Sequence, residues 1–234
     1  MRIVYSLLAL ILMTGTTAVA DNGTARVERV LSQEEQAALT PDQVLAYLKQ
    51  GNQRFLSGTV TSRDHSAQVR SAASGQFPKA IVLSCVDSRI PVEDVFDQGI
   101  GDIFVARVAG NFENTDILGS MEFATLISGA KLVLVMGHSD CGAVKAAIDG
   151  AELGNITAML ENIKPAIDSL ADYTGDKSSA NPEFVHKVTE RNIELTIKDI
   201  RKRSPVINDL EREGKVKIVG ALYDMKTGTI AFLD

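Results

Sequence analysis

Two short stretches carry most of the chemistry-bearing residues of this chain: Cys85-Val86-Asp87-Ser88-Arg89 and Gly137-His138-Ser139-Asp140-Cys141-Gly142. Cys85 and Cys141 are the only 2 cysteines among 234 residues. Two soft thiolates and an imidazole select zinc over magnesium or calcium. Three protein ligands leave one position open, which is the arrangement of a catalytic rather than a structural site. Cys141 also opens a helical stretch at Gly142, where the partial positive charge of the first turn favours a thiolate. A Cys85–Cys141 disulfide is the competing reading. It would need neither His138 three residues before Cys141 nor Asp87 and Arg89 beside Cys85.

These residues act together only if the fold brings them together. Residues 80–85 form a short apolar run without alternation, the mark of a strand buried on both faces. Residues 102–108, 131–136 and 215–222 read as further strands, and 229–233 as an edge strand reached by a hairpin through Lys226-Thr227-Gly228. Helical stretches lie between them at 91–97, 115–128, 142–148, 156–170, 182–203 and 205–213. Before them, 41–58 begins with Thr40 as cap and Pro41 in the first turn. Strands alternating with helices imply an α/β fold with a mostly parallel sheet covered on both faces. Ligands of such sheets gather at the carboxyl ends of the strands. Cys85 ends the first strand and His138 follows the third, so the two stretches meet if those strands are neighbours.

The totals narrow the partners. Lys and Arg number 24 against 30 Asp and Glu, a formal charge of −6, which argues against a nucleic-acid surface built on clustered cations. Residues 1–20 stand apart: Arg2, an apolar run over 3–13, and Ala18-Val19-Ala20 have the pattern of a cleaved signal peptide. An uncleaved anchor is the alternative. The expected mature protein begins near Asp21, after cleavage at Ala20, as one domain over 21–234 with an N-terminal helical arm. It is expected to be periplasmic or secreted, with no stable membrane insertion.

Cys-x-Asp-Ser-Arg followed by Gly-His-Ser-x-Cys-Gly resembles the β-class carbonic anhydrases. The likeness runs from Gly51-Asn52-Gln53-Arg54-Phe55 through Gly220 and is most specific over 85–111 and 136–144. It implies a three-layer α/β/α fold with a sheet of four to five strands, assembled as a homodimer or a dimer of dimers. It implies one zinc per chain on Cys85, His138 and Cys141, with Asp87 and Arg89 as a catalytic pair and carbon dioxide and bicarbonate as substrate and product. Zinc lowers the pKa of its water to about 7, an effect for which carbonic anhydrases are themselves the reference case, and the resulting hydroxide attacks carbon dioxide.

The same analogy makes Gln76, Phe104 and Phe123 substrate contacts, although core packing accounts equally well for the two phenylalanines. Some relatives close their site by turning the motif Asp onto zinc, and those often carry Trp where this chain has Val82. The expectation here is the open type. Two other functions remain compatible with the sequence: hydrolysis of carbon disulfide or carbonyl sulfide on the same fold, and non-catalytic zinc binding in the cell envelope. His65 and His186 could carry protons near neutral pH, or be surface residues with no role.

Overall fold

A computed structural model describes residues 26–233; the expected signal peptide and its cleavage position lie outside them. After helices α1 (Gln33–Ala37), α2 (Pro41–Ser57) and α3 (His65–Ala72) the chain enters the sheet at β1 (Ala80–Ser84). It continues through α4 (Val92–Val95), β2 (Ile103–Arg107), α5 (Thr115–Glu122) and β3 (Leu132–His138). Then come α6 (Gly142–Ile148), α7 (Gly154–Leu160), α8 (Lys164–Asp168), α9 (Pro182–Arg203), α10 (Pro205–Arg212), β4 (Lys217–Tyr223) and β5 (Ile230–Leu233). Capping accounts for several starts. Thr40 caps α2 through Gln43 N–H, and Asn181 caps α9 through Glu183 N–H with Pro182 in the first turn.

The strand order is β2-β1-β3-β4-β5, parallel throughout except for antiparallel β5. From β1 the chain crosses to β2 on one side, while from β3 it goes to β4 on the other. The crevice between the carboxyl ends of β1 and β3 is therefore the switch point of the topology, where open α/β sheets bind their ligands. Both faces of the sheet are covered. Val82, Leu134 and Met136 pack with Leu48, Phe96 and Phe184 on one face. Ile81, Leu83, Val133 and Val135 pack with Ile193 and Ile200 on the other.

Four elements differ from the sequence reading. The third strand runs two residues further, to His138, because β4 supplies Leu222 and Tyr223 as partners for Gly137 and His138. The stretch 156–170 is not one helix but α7 and α8. Pro165 lacks an N–H and crowds the preceding turn, which kinks or breaks a helix, and here it stands in the first turn of a new one, α8. The stretch 115–128 is α5 followed by a π-helical turn, Phe123–Ile127, in which the Thr125 hydroxyl donates to the Met121 carbonyl at 2.8 Å. The stretch 91–97 shortens to α4, since the chain reverses at Asp97 with φ +49.

Candidate active site

β1 and β3 are neighbours with Ser84 opposite Met136, so Cys85, just beyond β1, arrives beside the end of β3. His138 is the last residue of β3 and Cys141 the N-cap of α6. One metal-binding atom from each of Cys85, His138 and Cys141 can be chosen such that all lie within 4.8 Å of one another. All three side chains are buried.

The donor set fits a metal on two observations. His138 Nδ1 lies 2.9 Å from the Ser139 carbonyl; a carbonyl only accepts, so Nδ1 carries the hydrogen and Nε2 keeps its lone pair. That Nε2 is buried with no hydrogen-bond partner, a cost the fold bears unless a cation takes the lone pair. The thiols give the second observation. Their Sγ atoms are 4.0 Å apart, and Cys85 is lowered to about 4 chiefly because Cys141 donates to its thiolate. Cys141 is pushed up by holding that hydrogen bond and by its burial. Two thiols sharing one proton are a site for a dication, which replaces the proton and lets both ionise.

The backbone around Cys85 contributes as well. Gly110 N–H donates to Cys85 Sγ at 3.4 Å, and the Gly110 carbonyl accepts from Asn192 Nδ2 on α9 at 2.8 Å. Gly110 has φ +86, and a Cβ there would meet Ile163 Cδ1 at 2.5 Å. Gly110 and Asn192 are not among the site residues expected from the sequence. The one available signal was a polar residue on the buried face of a long helix.

Asp87 and Arg89 are also brought to the site. Arg89 donates from Nε to Asp87 Oδ1 at 2.9 Å and from Nη2 to Oδ2 at 2.7 Å, and its backbone N–H reaches Oδ1 at 3.0 Å. This fork holds the Asp87 carboxyl well below the usual carboxylate range.

Other candidates lie apart. Phe104 and Phe123 meet edge to face at 6.2 Å and line an open cavity of about 760 Å³ that none of the five residues above borders. Within this chain Phe104 packs with the core opposite the thiols. Gln76 is exposed between α3 and β1. His186 Nε2 faces Glu190 Oε1 at 3.3 Å on the α9 surface, and His65 opens α3.

The carbonic anhydrase family model matches residues 80–230, which take in β1 to β4 and both halves of the site. The chain belongs to the β-carbonic anhydrase family. Carbonic anhydrase 2 of Mycobacterium tuberculosis is 33% identical over 193 residues, covering 80% of this chain and 90% of that protein. A carbonic anhydrase of Mycolicibacterium smegmatis is 32% identical over 189 residues, covering 78% and 88%. Among solved structures, a β-carbonic anhydrase of Aspergillus fumigatus superposes with a TM-score of 0.66 at 24% identity, covering 82% of this chain and 90% of that one. A tetrameric β-carbonic anhydrase of Sordaria macrospora gives 0.61 at 26% identity, covering 82% and 92%. The reaction of this β-carbonic anhydrase is the reversible hydration of carbon dioxide to bicarbonate and a proton, and its metal is zinc.

Proposed function

We propose that Cys85, His138 and Cys141 hold the zinc of this carbonic anhydrase and that Asp87 and Arg89 are its catalytic pair. Bound zinc supplies the Lewis acidity that makes water a nucleophile near neutral pH. The observation that carries the reading is the fork of Arg89 on Asp87, two residues from Cys85. Held ionised, Asp87 has no hydrogen to donate and only accepts. It takes the O–H of the attacking oxygen and thereby turns that oxygen's lone pair toward the carbon of carbon dioxide. Arg89 fixes the carboxylate in charge and direction. Because the carboxylate is engaged by Arg89, the reading includes an open resting site, with Asp87 outside the metal group.

Replacing Asp87 by Ala tests this. Zinc content stays at one per chain, while kcat for hydration by stopped-flow indicator falls by about 10²-fold or more. Full activity in that variant would sink the assignment.

The reading extends to place and assembly. The leader pattern over residues 1–20 supports export of a catalytic domain over 21–234, in the periplasm or outside the cell. No helix among the described residues is long and apolar enough to cross a membrane. Phe123, which lines the Phe104 cavity, and Leu126 and Ile127 of the same π-helical turn expose 49%, 55% and 69% of their surface, which supports burial of that face against a second copy. In such a dimer Gln76, Phe104 and Phe123 become candidates for the substrate pocket. Light scattering on the chain from Asp21 should give a dimer or tetramer mass; a monomer would overturn the assembly.

A further inference from the structure

We infer that Arg107 is a positioning residue of the site, clamping the backbone between the ligand Cys85 and the carboxylate residue Asp87. The inference rests in part on the role given to Asp87 above. Arg107 is the last residue of β2 and pairs with Ser84, the last of β1. There the sheet ladder stops, so the Cys85 carbonyl has left its strand partners behind. The Arg107 side chain takes over: Nε donates to the Cys85 carbonyl at 2.8 Å and Nη2 to the Asp87 carbonyl at 2.6 Å. One planar guanidinium thus sets the spacing and direction of two carbonyls that flank the exposed Val86. Asp87 is held from both ends, its carbonyl by Arg107 and by Ile90 N–H at 3.2 Å, its carboxylate by Arg89. Cys85 is likewise held at its carbonyl by Arg107 and at its sulfur by Gly110. Groups that orient a metal ligand without touching the metal typically change affinity or activity by about 10–100-fold when removed.

The test uses Arg107→Met, which keeps the aliphatic stem, and Arg107→Lys, each in the zinc-loaded enzyme, with Asp87→Ala alongside. Zinc affinity is read by competition with a chromophoric chelator, kcat and KM by stopped flow, and folding by thermal melting. Arg107→Met is expected to weaken zinc by about 10-fold or more and to lower kcat by a similar factor, with KM changed less than about twofold. Arg107→Lys is expected to recover part of both, because an ammonium is a point donor that does not reproduce the planar fork.

A Met variant with normal zinc affinity and kcat overturns the inference. So does one whose defect is confined to its melting temperature. If the Met variant does not fold, the Lys variant decides, and wild-type values there overturn the clamp. Should Asp87→Ala prove fully active while Arg107→Met still weakens zinc, the role of Asp87 fails and the hold of Arg107 on Cys85 stands.

Discussion

Cys85 and Cys141, 56 residues apart in sequence, place their sulfurs 4.0 Å from each other across the β1–β3 crevice. The same proximity that suits one zinc leaves the pair about 2 Å short of a disulfide. Metal and disulfide are alternatives for the same two atoms.

Chelation should expose that choice. Zinc-loaded protein in an oxidising buffer is expected to keep 2 free thiols per chain. Stripped of zinc, the two thiols lose two electrons and two protons to glutathione disulfide, giving a Cys85–Cys141 bond and two glutathiones. Thiol titration in denaturant and a mass lower by two hydrogens report it. Activity should return only after reduction and zinc addition together. Stable free thiols in the stripped, oxidised sample would contradict the geometry.

Asp97 makes a pH-dependent clasp away from the metal. Its carboxylate is almost fully buried and receives Arg63 Nη1 and Arg54 Nε, each at 2.5 Å, and the Thr61 hydroxyl at 2.7 Å. Burial opposes its charge, but the bonds from Arg63, Thr61 and Arg54 prevail and lower its pKa to about 2. The unfolded chain has an ordinary Asp near 3.9, so the folded form binds the proton less well. The stabilisation is therefore complete above about pH 4 and lost as pH falls toward 2, at most on the order of 2 kcal/mol. Asp97→Asn keeps the positive φ that Asn tolerates and leaves two guanidiniums without their charge partner. Urea unfolding at pH 7 should show a loss of about 2–4 kcal/mol, with the acid dependence between pH 4 and 2 flattened.

Gly110→Ala attacks the support of Cys85. The new methyl would meet Ile163 and sit at φ +86, which L residues rarely adopt. The expected outcome is a loss of about 2 kcal/mol or more in denaturant unfolding, together with weaker zinc binding. Asn192→Ala, which frees the Gly110 carbonyl without the steric clash, should weaken zinc less. Unchanged zinc affinity in both variants would show the Gly110 contact to be incidental.

Asp140 lies between the proposed ligands His138 and Cys141 at φ +56, with Lys145 at 2.8 Å. That ion pair is half exposed and contributes little; the backbone conformation is what constrains the position. Asp140→Gly should retain zinc and activity, whereas Asp140→Val should cost at least about 1–2 kcal/mol in the same unfolding experiment. Equal stability of the Val variant would count against that account.

Much of this site was legible as sequence because its chemistry is local. A thiol, carboxylate and guanidinium within 85–89, and an imidazole and thiol within 138–141, already state a donor set and an ion pair that close over short loops. The strands were legible for the same kind of reason: an apolar run of five residues needs two covered faces. Pro165 was legible too, yet its effect depended on whether α7 and α8 could pack separately, and periodicity alone runs straight through it.

Tertiary structure decided the rest, since it depends on which strand lies beside which. The adjacency of β1 and β3 in the order β2-β1-β3-β4-β5 puts Cys85 beside His138. The adjacency of β2 and β1 lets the arginine at the end of β2 reach back to the Cys85 carbonyl, and α9 brings Asn192 to Gly110 across 82 residues. None of these partners is marked by its own neighbours in the chain. Arg107 reads as a strand end and Asn192 as one polar residue of a helix. The amino-acid sequence by itself determined the candidate donor set and its chemistry, because residue type sets hardness and charge. How those donors are held follows from long-range packing, which a local pattern does not encode.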